Sequence, residues 1–168
     1  MHETTFAVSR EEIAALLKAI DYSEALTVIA TEADVRQACS VCRAYGFRAA
    51  VTFPCYVPLM VRELAGSSIL PQIVVGFPSG ATSTASKCRE AEEGLAAGCR
   101  DLDMVMNIGA FKAGDTRAVA ADIAAVVKAA APYKVPFKVI IEVGVLTEEE
   151  ILDAAKIAAD SGATFVKT

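Results

Sequence analysis

The sequence predicts an α/β fold of the (β/α)8-barrel type, with about the first six β/α units present in this chain. Strand and helix patterns alternate six times with short connections, which requires a parallel sheet with helices outside it. Hydrophobic residues make up 54% of the 168 residues and the mean hydropathy is +0.43, which suits strands that are buried on both faces. In three neighbouring strands, moreover, the charged residues of each strand share one face.

Helix starts are marked by the capping box, in which the first and fourth residues bond each other's backbone. It occurs at Ser9-x-x-Glu12, Thr31-x-x-Asp34 and Thr147-x-x-Glu150. Gly46 is placed to end the second helix. The predicted helices cover 10–19, 31–46, 56–65, 84–97, 115–130 and a segment that begins at 147.

Strands are predicted where short apolar, β-branched runs are bounded by glycine or proline. These runs are 25–30, 49–53, 73–77, 102–107, 138–143 and 163–167. The chain contains no linker, repeat or low-complexity stretch. Residues 1–168 are therefore expected to form a single domain, the N-terminal three-quarters of a barrel.

Two architectures fit this alternation, a doubly wound sheet and an incomplete barrel. Asp101 and Asp103 share one face of the fourth strand, Lys138 lies on one face of the fifth, and Lys167 on one face of the sixth. Buried charges are costly unless they are paired. A common polar centre inside a barrel would pair them, whereas both faces of a doubly wound sheet meet helices, so the pattern favours the barrel.

The charge and the termini limit the classes of partner and compartment. The formal net charge is −5 and the pI is about 4.9, which is unfavourable for binding nucleic acid or an anionic membrane surface. No apolar run approaches the roughly 18 residues that span a bilayer. The first five residues lack the features of a signal peptide, so a cytoplasmic protein is expected.

Cysteine and histidine usage argues against a metal or cofactor site. The chain has five cysteines and one histidine, His2, so no Ser-His-Asp or Cys-His arrangement can form. Cys39-x-x-Cys42 lies inside a helical pattern without a second pair at zinc-site spacing. We interpret it as two buried or half-buried thiols and predict no cofactor and no metal.

Lysine and aspartate chemistry is the alternative that remains. If Asp103, Lys138 and Lys167 meet, burial and a neighbouring ammonium both favour a neutral Lys167 amine. Such an amine attacks a carbonyl to form a Schiff base, and Asp103 could shuttle protons. The competing interpretation is a closed Asp–Lys ion pair that only fixes the register of the strands.

The loop Gly76–Thr84 is rich in Gly, Ser and Thr and precedes a helix. It could cradle a phosphate, but it lacks the G-x-x-x-x-G-K pattern. We interpret it as a strand-to-helix turn that lines the mouth of the barrel. Lys87 and Lys112 are expected to be solvated surface charges.

Five motifs in order resemble those of deoxyribose-phosphate aldolase. They are Ile20-Asp21, Gly76-Phe77-Pro78-Ser79-Gly80-Ala81-Thr82, the stretch Asp101-Leu102-Asp103-Met104-Val105-Met106-Asn107-Ile108-Gly109-Ala110, Lys138-Val139-Ile140-Ile141-Glu142, and Phe165-Val166-Lys167-Thr168. The resemblance implies a metal-free class I aldolase on a barrel, which reversibly cleaves 2-deoxy-D-ribose 5-phosphate to glyceraldehyde 3-phosphate and acetaldehyde. It assigns the Schiff base to Lys167 and the proton relay to Asp103. Lys138 matches a lysine of the fifth strand that lies near the site, and we predict it as a third catalytic residue.

The same resemblance implies substrate contacts at Asp21, Ser23 and Thr168, and a homo-oligomer. Two departures stand out. Tyr22-Ser23 replaces a His-Thr pair, and the sequence stops where the family continues into two more strands with a second lysine and phosphate-binding loops. The short form is therefore expected to be a fragment of doubtful activity. The alternatives are a non-catalytic piece that associates through open sheet edges and a related lysine aldolase for another sugar phosphate.

Overall fold

The structure is a computed structural model that describes residues 9–168, the side chain of Ala25 excepted. His2 lies outside the described residues. The strands are β1 (Asp21–Tyr22), β2 (Ala49–Thr52), β3 (Leu70–Val75), β4 (Asp101–Val105), β5 (Phe137–Ile140) and β6 (Phe165–Lys167). The α-helices are α1 (Arg10–Leu17), α2 (Glu32–Tyr45), α3 (Val57–Glu63), α4 (Thr84–Ala96), α5 (Ile108–Lys112), α6 (Thr116–Ala130) and α7 (Glu148–Asp160).

The six strands form one parallel sheet in the order β1-β2-β3-β4-β5-β6. Each strand therefore pairs with the next one in the sequence, as in a barrel. A doubly wound sheet would reverse its strand order at a switch point. The barrel-type prediction is confirmed and the doubly wound alternative is wrong.

Two apolar clusters lie between the sheet and its helices. The larger packs β3, β4 and β5 against α4, α6 and α7 and is centred on residues such as Ile73, Leu102 and Ile123. The smaller packs α2 and α3 against β2 and includes Val35 and Met60. The apolar faces of the strands supply these clusters, so the opposite faces are left to form the interior of the curved sheet.

The helix starts follow the predicted capping signals. The side-chain carboxylates of Glu12, Asp34 and Glu150 each accept a hydrogen bond from the backbone N–H three residues earlier, at 2.8, 2.7 and 2.8 Å. Gly46 ends α2 in a left-handed conformation with φ +70°, as glycine does at a C-terminal cap.

The prediction of a strand at 25–30 is wrong. A short 3-10 turn covers Glu24–Leu26, and the side chains of Val28 and Ile29 are 100% and 81% exposed. The first strand lies earlier, where the backbone N–H of Arg48 donates to the carbonyl of Ile20 at 2.9 Å. The apolar composition of 25–30 is typical of a strand and led to this prediction, but no neighbouring strand pairs with that segment.

Other strands have shifted ends. The fourth covers Asp101–Val105 rather than 102–107, and the sixth covers Phe165–Lys167 rather than 163–167. The third covers Leu70–Val75 rather than 73–77, and Gly76 follows it with φ +67°, which no strand residue adopts. The fifth ends at Ile140 rather than 143, and Glu142 has φ +56°. Within residues 9–168, no helix is both long and apolar enough to cross a membrane.

Candidate active site

The interior faces of β4, β5 and β6 carry the candidate catalytic residues. Asp103 is the register partner of Lys138, and Lys167 is the partner of Ile140, two residues farther along β5. Side chains two residues apart on a strand share a face, so all three charged groups point to the interior. The Lys167 ammonium donates a hydrogen bond to Asp103 Oδ2. The expected meeting of Asp103, Lys138 and Lys167 is thus present.

Lys138 is the hub of this interior cluster. Its Nζ lies 2.6 Å from Asp101 Oδ2, 3.2 Å from Asp21 Oδ2 and 3.3 Å from Asp103 Oδ1. Its side chain is buried, and burial of an ammonium is tolerated only where carboxylates compensate it. Lys138 therefore links the carboxylates at the start of β1 and β4 to the Asp103–Lys167 pair.

Arg48 completes the cluster and was not predicted. One guanidinium nitrogen lies 2.7 Å from Asp21 Oδ1 and 2.6 Å from Asp101 Oδ2. Arg48 precedes β2, so the alternation of a strand does not determine where its side chain points. One feature of the sequence indicated a further cation. Asp101 was predicted on a buried strand face, and its carboxylate pairs with a second cation in addition to Lys138.

Burial and these contacts shift the pKa values of the cluster in opposite directions. Burial raises the pKa of Asp101 above its ordinary value, although Lys138 and Arg48 oppose that shift. Burial would also raise the pKa of Asp21, but the hydrogen bond from Arg48 and the charge of Lys138 outweigh it and lower that pKa. For Arg48, burial is likewise outweighed by the two carboxylates, and its pKa is raised. Pairing therefore outweighs burial at Asp21 and Arg48, whereas burial outweighs pairing at Asp101.

The Lys167 amine is accessible from a cleft of about 570 Å³. Its side chain is 30% exposed, whereas that of Asp103 is fully buried. The residues that line the cleft include Lys18, Asp21, Arg48, Lys138, Phe165 and Lys167. Lys167 is also the last residue of β6, and the carboxyl ends of barrel strands are where catalytic residues lie in this architecture.

The three residues expected to contact substrate do not all join the cluster. Asp21 does, through Arg48 and Lys138. Ser23 follows β1 and Thr168 follows β6, and both are exposed at the carboxyl ends of their strands. Among the described residues, neither side chain makes a hydrogen bond to the cluster. Their contact with substrate stays a prediction.

The loop Gly76–Thr84 is packed against the end of β4. The Ile108 N–H donates to the carbonyl of Ser79 at 3.4 Å, and the Gly80 N–H donates to the carbonyl of Gly76 at 2.8 Å. The N–H of Gly76 is bonded to Glu90 Oε2. The N–H groups of Gly76 and Gly80 are thus already bonded within the protein and are not free to bind a phosphate, which favours the interpretation of the loop as a turn.

The expectation for Lys87 is wrong, since it is a fully buried residue of α4 rather than a surface charge. Its Nζ lies 2.6 Å from Asp122 Oδ2 and donates to the carbonyl of Val105 at 3.1 Å.

The other predictions for lysine and cysteine side chains concern Lys112, Cys39 and Cys42. Lys112 is 43% exposed and pairs with Glu150. Cys39 and Cys42 are buried free thiols, as interpreted. In residues 9–168, no group of three or more His, Cys, Asp or Glu side chains is placed to hold a metal ion.

Curated proteins that are similar in sequence to this chain are named deoxyribose-phosphate aldolase. A deoxyribose-phosphate aldolase from Methanothermobacter thermautotrophicus is 42% identical over 160 residues, which are 95% of this chain and 68% of the relative. One from Sinorhizobium medicae is 46% identical over 164 residues, 96% of this chain and 63% of the relative. The chain belongs to the deoxyribose-phosphate aldolase family. No protein-family model matches it.

Solved structures agree with this family assignment. The tetrameric deoxyribose-phosphate aldolase from Aeropyrum pernix superposes with a TM-score of 0.84 at 30% identity, covering 92% of this chain and 64% of that one. Across six curated relatives, this chain spans 62% to 68% of their length. An alignment over 160 of the 168 residues includes the strands that carry Asp103 and Lys138.

Proposed function

We propose that this protein is a class I aldolase that reversibly cleaves 2-deoxy-D-ribose 5-phosphate to D-glyceraldehyde 3-phosphate and acetaldehyde. The observation that carries the proposal is the contact of the partly exposed Lys167 amine with the buried Asp103 carboxylate, beside Lys138. A nucleophile, a proton acceptor and a second cation thus stand together at a strand end that a substrate can reach.

Schiff-base formation uses these groups in sequence. The Lys167 amine, after giving a proton to Asp103, attacks the C1 aldehyde carbon of the open-chain substrate and forms a carbinolamine. Asp103 returns that proton to the carbinolamine hydroxyl, which leaves as water, and a protonated imine remains. Asp103 is 0% exposed, so it exchanges protons with the bound substrate rather than with bulk water.

Carbon–carbon cleavage follows from the electron demand of the protonated imine. As the C3 hydroxyl gives its proton to Asp103, the C2–C3 electron pair moves to the imine, which releases glyceraldehyde 3-phosphate and leaves an enamine on Lys167. Asp103 returns the proton to C2 of the enamine, and addition of water to the resulting imine releases acetaldehyde and restores the amine. Lys138 Nζ, 3.3 Å from Asp103 Oδ1, stands beside the carboxylate that accepts and returns the protons.

The proposal is tested by trapping the imine. The 168-residue chain is incubated with acetaldehyde, reduced with borohydride and digested, and modified peptides are quantified by mass spectrometry. An ethyl group on Lys167 that is absent from Lys167→Leu is the expected result. The exposed Lys112 provides the matched control, because its amine is paired with Glu150 outside the interior cluster. Equal labelling of Lys112 and Lys167 would contradict the proposal.

The substrate is tested separately with the same protein. Turnover of 2-deoxy-D-ribose 5-phosphate, followed by release of acetaldehyde, is compared with turnover of other aldose and ketose phosphates. Trapping on Lys167 combined with cleavage of a different sugar phosphate would retain the Schiff-base chemistry and replace the substrate. Trapping on Lys167 without turnover of any sugar phosphate would mean that this chain forms the Schiff base but does not complete the cleavage reaction.

Two statements about the whole protein stay predictions, a homo-oligomer and a cytoplasmic location. The tetrameric structure of the relative from Aeropyrum pernix supports the first. Light scattering of the purified protein checks it, since a mass of one chain at every concentration would contradict an oligomer. Fractionation of the source cells checks the second.

A further inference from the structure

A line of alternating charges crosses the interior of the sheet. It runs from Arg48 to Asp101 at 2.6 Å, from Asp101 to Lys138 at 2.6 Å, from Lys138 to Asp103 at 3.3 Å, and from Asp103 to Lys167. Asp21 branches from it, in contact with both Arg48 and Lys138. The line begins before β2, at the amino end of the sheet, and finishes on the last residue of β6. Arg48 is thus joined to the nucleophile without touching it.

The charges of this line balance. Its cations are Arg48, Lys138 and Lys167. Its anions are Asp21, Asp101 and Asp103. Three positive charges thus stand against three negative ones. Both Asp101 and Asp103 are fully buried, and charges away from water are screened far less than charges at the surface. The loss of one member therefore changes the field at all the others.

We propose that Arg48 is a positioning residue that sets the charge balance of the site and so the ease with which Lys167 loses its proton. Without Arg48, Asp21 and Asp101 have Lys138 as their remaining partner, and Lys138 is drawn away from Asp103. Three carboxylates then face two ammonium groups, and the excess negative charge retains the proton on Lys167. This inference rests on the proposed role of Lys167 as nucleophile.

The charged groups around Lys167 come from five segments of the chain. They are Asp103 of β4, Lys138 of β5, Asp21 of β1, Arg48 before β2 and Lys18 after α1, the last three across the cleft. Glu142, beyond the end of β5, is exposed, so its charge is screened by water. Arg48 pairs with Asp21 and Asp101 but not with Asp103, so its loss changes the charge of the set without removing a direct partner of the Asp103–Lys167 pair.

The experiment measures the titration of the Lys167 amine without relying on aldolase activity. The full chain is trace-acetylated at a series of pH values, and the labelled Lys167 peptide is quantified against the peptide that contains Lys112. Arg48→Met is expected to move the pH midpoint of Lys167 acetylation upward by on the order of half a pH unit. Asp101→Asn, which leaves three cations and two anions, is expected to move it downward by a similar amount.

The double variant Arg48→Met with Asp101→Asn decides between charge balance and a merely structural role. It restores two cations and two anions, so its midpoint is expected to return to that of the parent protein. Arg48→Lys, which keeps the charge, is expected to stay near the parent. If the midpoint is unchanged in both single variants, or if the double variant departs further than either, Arg48 does not act through charge.

The outcomes also separate this inference from the proposed function. An acetaldehyde adduct on Lys167 together with unchanged midpoints would overturn the role of Arg48 and leave the aldolase proposal intact. Shifted midpoints without an adduct would support the coupling of Arg48 to the Lys167 amine and count against the aldolase chemistry. Circular dichroism of each variant verifies that the midpoints are compared between folded proteins.

Discussion

At the scale of single residues, Lys87 shows how a charge can be part of the core. Its ammonium reaches Asp122 on α6 and the carbonyl of Val105 at the end of β4, and Asp122 also accepts a hydrogen bond from Thr84 at 2.7 Å. Its stem fills the space beside Gly76, where an added Cβ would lie 2.7 Å from Lys87 Cε. Lys87 therefore joins two helices to the strand that carries Asp103.

Removal of the Lys87 charge is expected to lower the free energy of unfolding. Lys87→Met leaves the Asp122 carboxylate without its buried partner, and breaking a buried ion pair by removing one member costs about 3–5 kcal/mol. Urea unfolding of the variant measures the loss. The double variant Lys87→Met with Asp122→Leu removes both charges and is expected to recover most of it, because a buried pair replaced by apolar groups is often neutral. A loss below about 1 kcal/mol in the single variant would contradict the role of the pair.

At the scale of elements, the loop between β3 and α4 fixes its position through Gly80. This residue has φ +69°, and a Cβ on it would lie 1.8 Å from the carbonyl oxygen of Met106. The close approach brings the loop onto the residue that directly follows β4. The mouth of the site is thus held by backbone contact, which a side chain of any size would prevent.

The matched substitutions Gly80→Ala and Gly66→Ala separate clash from strain. Gly66 also has a positive φ, +74°, but nothing lies within 4 Å of an added Cβ, so its substitution costs only the left-handed strain of about 1–2 kcal/mol. Gly80→Ala adds a collision with backbone and is expected to cost about 1–3 kcal/mol more. Unfolding free energies check this difference. Equal losses in the two variants would mean that the loop moves away from Met106 freely.

The elements also show what the sequence predicts and what it does not. The β/α alternation and the shared face of Asp101 and Asp103 follow from periodicity, and both hold in the structure. The false strand at 25–30 had the right composition but no partner, since pairing depends on neighbours distant in sequence. Arg48 was missed and Lys87 was misjudged for the same reason, because long side chains outside strands reach partners that no local pattern specifies.

At the scale of the whole molecule, two apolar clusters share one sheet. The smaller is on the side of α2 and α3, and the larger is on the side of α4, α6 and α7. Strand β3 pairs with both β2 and β4, so the hydrogen bonds of the sheet connect the two clusters. We propose on this basis that residues 9–168 unfold as one cooperative domain.

Buried thiols in both clusters make the single-domain proposal measurable. Burial raises the pKa of Cys39 to about 11 in the smaller cluster and that of Cys99 to about 12 in the larger. Since the thiolate is the reactive form, both are expected to resist iodoacetamide at mildly alkaline pH, while the exposed Cys55 reacts. In increasing urea, Cys39 and Cys99 are expected to become reactive at the same concentration, because a cooperative domain exposes both clusters together. Labelling of Cys39 at a distinctly lower urea concentration would contradict a single cooperative domain. It would mean that the smaller cluster unfolds before the larger one, with the boundary between β2 and β3.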